Sequence, residues 1–148
     1  MTMEPGLKVR RARRQDFEQV RALLGAQAPA ARAERKRFRR LVSTLREDLY
    51  LAERERDAAV VGLAVVAYAR GLGPPTAVVR RLLAPSSAAT RLLLDSAYAR
   101  AAARGCASIE LQLEPDPELP DLMDRLRGAG WTEGPRTLVR RVGLEGTP

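Results

Sequence analysis

Apolar positions along this chain change their period several times, and each change marks an element. Leu7 and Val9 alternate with charged residues over 7–12, which predicts an opening strand. Over 14–24, Phe17, Val20, Leu23 and Leu24 fall on one helical face, and Gly25 and Pro29 close the helix. A second helix is predicted over 31–47. Phe38, Leu41, Val42 and Leu45 form its apolar stripe, and Arg35, Lys36, Arg39, Arg40 and Arg46 its solvated face. The period then falls to two. Residues 49–54 predict a strand and 55–58 a charged hairpin turn. Residues 60–70 predict a longer strand, apolar enough to be covered on both faces. Gly62 within it predicts a bulge or a close backbone approach. After a turn at 71–75, residues 76–84 predict a third central strand, interrupted by Arg80 and Arg81.

The stretch 82–105 organises the rest: a strand end, a Pro-Ser-Ser turn, then a long helix closed by Gly105. Leu93, Leu94, Ala97, Tyr98 and Ala101 are its predicted inner side. A helix entered through small residues offers unpaired amides and a positive dipole end, which suits an anion. Residues 107–113 alternate again, with Ile109, Leu111 and Leu113 on one side and Glu110 and Gln112 on the other. Asp116 reads as an N-cap with Pro117 at the first helical position, and Leu119, Leu122, Met123 and Leu126 as the stripe of a fourth helix ended by Gly128 and Gly130. Trp131 and residues 136–142 predict one or two closing strands. The order is β-α-α-β-β-β-α-β-α-β, an α/β (α+β) chain with a mixed sheet. Residues 1–148 read as one domain, with tails at 1–6 and 144–148.

Composition narrows the chemistry. No run of 18 apolar residues spans a membrane, the first residues lack an apolar h-region, and the lone Cys106 can form no internal disulfide. Together these point to the cytoplasm and no membrane partner. Net charge is +8, yet all the basic residues except Lys8 and Lys36 are arginine. Arginine and alanine enrichment together resemble a GC-rich coding bias, so the charge argues only weakly for nucleic acid. The absence of histidine removes Ser-His-Asp and Cys-His catalysis and most zinc sites, so no metal is expected.

Four local patterns, in order, resemble the GCN5-related N-acetyltransferase (GNAT) superfamily. Arg10, Ala12 and Asp16 look like its I-R-x-A-x-x-x-D entry, and Val60, Val61 and Gly62 like its V-V-G hairpin. Ala103 to Leu113 is similar to its R-G-x-x-x-I-x-L-x-V strand, and Arg127 to Trp131 to the x-x-x-G-F end of its fourth helix. The resemblance implies a mixed, mostly antiparallel sheet of six to seven strands flanked by about four helices. It also implies acetyl-CoA as co-substrate and a small-molecule or peptide amine as acceptor. Relatives often form homodimers through sheet edges or last strands, and 136–142 offers such an edge.

By the same resemblance, the central strand is splayed from its neighbour. Leu82, Leu83 and Ala84 would then bind the pantetheine arm, and the following loop the pyrophosphate. Ser86, Ser87, Ala88, Ala89 and Thr90 stand where the family has a glycine-rich loop, with Ala88 and Thr90 in place of glycines. A Ser87 or Thr90 hydroxyl could donate there, and Arg91 could supply charge. The helix dipole adds roughly 0.3–1 kcal/mol. Binding is expected to be weaker than usual.

Acetylating an amine needs its neutral form. For a lysine-like amine of pKa about 10.4, this is about one molecule in a few thousand at pH 7. Relatives place a carboxylate on the central strand, where this chain has Arg80 and Arg81. They also place a tyrosine five residues before the aromatic, where it has Leu126. Glu110 and Glu53, on strands, remain as acid–base candidates, and Tyr50, Tyr68 and Tyr98 as thiolate acids. One of Arg80 and Arg81 is read as recognising an anionic substrate or a CoA phosphate, or else both as ion-pair partners of Glu53, Glu110 or Glu114. The acceptor pocket is expected from 27–33 and 71–75. The overall expectation is an acetyl-CoA-dependent N-acyltransferase attacking directly in a ternary complex. The alternative is a non-catalytic GNAT-like binding or interaction domain.

Overall fold

Five strands pair side by side in chain order, β1 (Leu7–Arg11), β2 (Glu47–Arg54), β3 (Val60–Ala69), β4 (Thr76–Leu83) and β5 (Ser108–Leu111). The first three pairings are antiparallel and the last, β4 with β5, is parallel. Helix α3 (Ser87–Ala103) makes the crossover that a parallel pair requires. This computed structural model describes residues 6–134 and 137–143, in two compact units, Met1–Glu114 and Pro115–Pro148.

In the first unit, helices α1 (Phe17–Leu23) and α2 (Arg32–Ser43) lie on one face of the sheet. Phe17 meets Phe38 with ring centroids 5.2 Å apart, over Leu49, Leu51 and Leu63. Helix α3 covers the other face through Leu93, Leu94, Ala97 and Ala101. The alanines let its backbone come close to the sheet, and Gly62 opposite Leu93 does the same from below. A Cβ on Gly62 would sit 2.8 Å from the Leu83 carbonyl oxygen. The bulge expected at Gly62 is also present, because Ala52 pairs with Gly62 but Glu53 with Val60, leaving Val61 as the extra residue.

Two ionic clusters staple the strands. On the α1 side, Asp16 is 3 % exposed and accepts from both terminal nitrogens of Arg10 at 2.8 Å and from the Arg13 N–H at 2.6 Å. Arg10 Nε also donates to Glu53 at 2.6 Å, and Lys8 pairs with Glu53 at 3.2 Å. This explains the sequence pattern physically: the arginine on the first strand ties down the aspartate that starts the first helix. The Arg10 guanidinium holds both carboxyls below their usual range, despite burial pulling the other way. On the α3 side, Asp48 is 1 % exposed and gathers Arg11 at 2.8 Å, Arg100 and Arg104 at 3.8 Å and the Tyr68 hydroxyl at 2.5 Å. Arg104 also stacks over the Tyr68 ring, 3.9 Å from its centroid.

Several expectations are corrected. Helix α2 stops at Ser43, not 47, and Leu45 is 74 % exposed instead of lying on the stripe. The ladder of β2 with β3 begins at Glu47, and pairing that strand outweighs four more residues of helical period. Residues 14–16 form a 3-10 turn before α1. Tyr98 is 63 % exposed, not inward, because the alanines beside it already fill the contact with the sheet. Gly6 is no tail residue: its carbonyl accepts from the Glu55 N–H at 2.9 Å.

In the second unit, α4 (Leu119–Gly128) starts two residues later than its cap signal. The Asp116 carboxylate accepts from the Glu118 N–H at 2.8 Å, making a turn ahead of the helix instead of an N-cap. Among the described residues the sheet has five strands, not six to seven. Of the expected closing stretch, residue 136 lies outside the described residues, and 137–143 form no strand. Leu138, Val139 and Val142 are exposed there, and alternation makes a strand only where an edge supplies backbone partners. Of the expected tails, 1–5 and 144–148 lie outside the described residues.

Three measurements check this frame. Gly62→Ala forces a Cβ against a backbone oxygen and should destabilise by about 1–3 kcal/mol in urea unfolding. Asp48→Ala removes the shared partner of three partly exposed arginines and the half-buried Tyr68 hydroxyl and should cost about 1.5–3 kcal/mol; a loss under about 0.5 kcal/mol would remove Asp48 from the staple. Asp16 and Glu53 have folded pKa values below their unfolded ones of about 3.9 and 4.3. Their contribution is therefore complete above about pH 5 and fades as pH falls through the depressed values. Arg10→Gln should flatten that acid limb of the stability profile while leaving its slope near neutral pH unchanged.

Candidate active site

Strand β4 pairs with β3 along its whole length, from Ala69 opposite Thr76 to Leu63 opposite Leu83. It pairs with β5 only from Thr76 to Val79, and the last bond on that edge runs from the Gln112 N–H to the Val79 carbonyl at 3.0 Å. Among the described residues, 80–83 thus have a partner strand on one side alone. Leu82 and Leu83 of the expected opening lie on this one-sided stretch, and Ala84 lies just past the strand.

Helix α3 starts beside that open edge. Ser86 caps it, with extended backbone and its Oγ accepting from the Ala89 N–H at 3.2 Å. The Thr90 hydroxyl donates to the Ser86 carbonyl at 3.1 Å, so its proton is engaged inside the cap and not directed outward as expected. Ala89 is fully buried. Among the described residues the Ala88 N–H has no hydrogen-bond partner, and Ala88 is half-buried. Arg91 stands exposed at the start of the second turn, its only ion pair among the described residues a 3.8 Å contact with exposed Asp95 of the kind that contributes little. The helix end therefore keeps an outward amide, a dipole and one arginine.

On the other face lies a pocket of about 310 Å³. Its floor is Leu49, Leu63 and Val65 of the sheet, and its walls include Phe17 and Val20 of α1 and Phe38 of α2. Neither of the loops expected to shape the acceptor site, 27–33 and 71–75, lines it; the aromatic and aliphatic faces of two helices do. The sequence displayed those faces as core stripes, and their spacing alone does not separate a filled core from a hollow one. Four charged side chains reach the pocket: Arg21, Glu34, Arg37 and Arg81.

Arg81 is there because of a second bulge. Val66 pairs with Val79 and Val65 with Arg81, so Arg80 is the extra residue. Without it, alternation from Val79 would turn Arg81 toward α3; with it, Arg81 shares a face with Val65 and the pocket. Strict alternation of Arg80 and Arg81 is thus corrected. Both are exposed, and among the described residues neither pairs with Glu53, Glu110 or Glu114.

Glu53 and Glu110 are not brought together. Glu53 lies opposite Val60, toward one end of the sheet, and both its oxygens are engaged by Lys8 and Arg10. Glu110 lies opposite Val78, exposed, on the pocket face and two pairs along from Arg81, with the Arg80 bulge between them. Tyr50 and Tyr68 sit on the α3 face with Asp48, and burial pushes both hydroxyls up, reinforced by the Asp48 charge. They are remote from the pocket. Tyr98 is on the outer side of α3. Among the described residues no three His, Cys, Asp or Glu side chains cluster as metal ligands, and no helix is long and apolar enough to cross a membrane.

No family model and no curated protein matches this chain. Solved structures do. A transcriptional regulator from Bacillus halodurans C-125 superposes with a TM-score of 0.79 at 19 % identity, covering 93 % of this chain and 100 % of its own. An acetyltransferase from Trypanosoma brucei gives 0.72 at 17 % identity, over 94 % and 100 %. The acetyltransferase AAC(6')-Iy, in complex with a CoA-S-monomethyl-acetylneamine bisubstrate analog, gives 0.75 at 12 % identity, over 94 % and 99 %. Strand order, the parting of β4 from β5 and these superpositions agree: the chain has the fold of the GCN5-related N-acetyltransferase superfamily.

Proposed function

We propose that this chain is an acetyl-CoA-dependent N-acyltransferase that lets an amine attack the thioester directly in a ternary complex. The observation that carries the reading is the one-sided end of β4, residues 80–83, between the α3 cap on one face and the apolar pocket on the other. An extended pantetheine arm can add to that edge as a strand would, through backbone groups of Leu82, Leu83 and Ala84. Its pyrophosphate then meets the Ala88 amide, the Ser86–Ser87 turn and Arg91. The acceptor enters from the pocket side.

The step is simple in its balance. The amine nitrogen bonds to the thioester carbonyl carbon, the carbon–sulfur bond breaks, the amine proton passes to a base, and the sulfur leaves as a thiol. Glu110, exposed on the pocket face and opposite Val78, is the carboxylate we assign to take that proton through water. Glu53 is held ionised by Arg10 and belongs to the staple. With Tyr50 and Tyr68 committed to Asp48, the thiolate takes its proton from water. Most of the acceleration comes from holding amine and thioester together, worth several kcal/mol.

The second reading, a binding module without turnover, is favoured by one feature: the Ala89 amide and Thr90 hydroxyl are used inside the cap. Calorimetry with acetyl-CoA and CoA at up to millimolar ligand decides whether the site works at all, and thiol release separates turnover from binding. Binding is the expected outcome; its absence, with no thermal shift, ends the acyltransferase reading. Ala88→Glu places a carboxylate where the pyrophosphate should lie without weakening the helix, since acids are welcome in a first turn. It should abolish binding, and Arg91→Ala should weaken it about threefold or more.

A further inference from the structure

Resting on that reading, we propose that the acceptor is a small apolar amino acid, its amine directed toward the end of β4 and its carboxylate held by Arg81 with help from Arg37. The pocket's apolar floor and aromatic walls suit an aliphatic or aromatic side chain, and its volume of about 310 Å³ is at the small end for ligand sites. Its charges are unbalanced: three arginines and one glutamate. That glutamate is already neutralised, since Arg21 Nε donates to Glu34 at 2.8 Å and holds its carboxyl below the usual range. Arg37 adds only its field to Glu34. Among the described residues neither Arg37 nor Arg81 makes a hydrogen bond or ion pair. An amine-bearing cation gains nothing from such a rim, and a polyamine is repelled by it. A carboxylate gains a planar two-donor partner.

The placement of Arg81 supports a binding task. It stands on the pocket face only because Arg80 is inserted as a bulge, a device that re-aims a side chain at the expense of the ladder. It also sits on the strand end that, in the proposed complex, carries the thioester. A carboxylate on Arg81 therefore brings the neighbouring α-amine within reach of the reacting carbonyl, and Glu110 lies two pairs along on the same face.

The test uses the full chain with acetyl-CoA and follows thiol release. L-Leucine, L-methionine and L-phenylalanine are compared with L-leucinamide, which lacks the negative charge. O-phosphoethanolamine tests a phosphate in place of the carboxylate, and spermidine a polycation. The amino acids should be turned over with kcat/KM at least about tenfold above the amide, the order expected for one charge-assisted contact. Arg81→Gln should raise the amino-acid KM about tenfold or more, erase the preference over the amide, and leave acetyl-CoA affinity unchanged. Preference for spermidine, for the phosphate or for the amide overturns the assignment, as does an Arg81→Gln effect on acetyl-CoA affinity alone. Titrating L-leucine into the protein without acetyl-CoA, by NMR, separates the two ideas. Leucine binding that Arg81→Gln removes, with no acetyl-CoA binding, upholds the pocket and sinks the acyltransferase. Acetyl-CoA binding without any amino-acid binding or turnover does the reverse.

Discussion

One strand with unequal sides governs this molecule. β4 is paired to β3 as far as Leu83 and to β5 only as far as Val79, and the proposed site gathers where the second partner ends. The inequality arises on the β5 side, where the strand ends at Leu111, opposite Val79. Just beyond, Arg80 bulges out of the β3 ladder, and after Leu83 the chain turns into α3. Gly62 makes that turn feasible: only a residue without a side chain admits the Leu83 carbonyl so close to β3 while Leu93 packs on the same spot. A short strand, a bulge, a glycine and a capped helix thus meet at the open edge.

The two ionic staples hold the faces on either side of that edge. Arg10, Asp16 and Glu53 tie the first strand and the start of the helical layer to β2, and Asp48 ties α3 and β1 to the same strand from the other face. Buried charges of this kind contribute modestly in net energy, because desolvation offsets much of the attraction. Their geometry is the larger effect: each carboxylate has room for one arrangement of arginines, which sets where the helices lie over the sheet. The pocket exists because α1 and α2 are held by Phe17, Phe38 and the Arg21–Glu34 pair without filling the space above Val65. Against an apolar interior, the arginines at its rim are the groups we propose to orient and select the acceptor.

The order of elements through α4 and the Gly62 constraint were legible in the chain, since each depends on residues close in sequence or on a strict period. Arg10 and Asp16 stood out only as parts of a family pattern, and the closing strand expected at 136–142 is not formed by the described residues 137–143. Leu45 and Tyr98 misled, because a helical stripe predicts an apolar face but not where a competing ladder will cut it or which neighbours will fill the contact. The three arginines around Asp48 come from two elements far along the chain, and nothing local distinguishes them from the many other arginines. Glu53 looked like a free carboxylate on a strand for the same reason.

By itself, the sequence determined the periods: which segments alternate, which turn at 3.6, and which small residues introduce α3. It also excluded histidine-based chemistry outright. Only the tertiary structure decided that β5 leaves β4 at Val79, that Arg81 and not Arg80 faces the helices, and that the Phe17–Phe38 layer is hollow. Periodicity is a property of neighbours along the chain. A one-residue bulge, a strand's departure and a cavity are set by contacts between segments tens of residues apart, whose register no local pattern records.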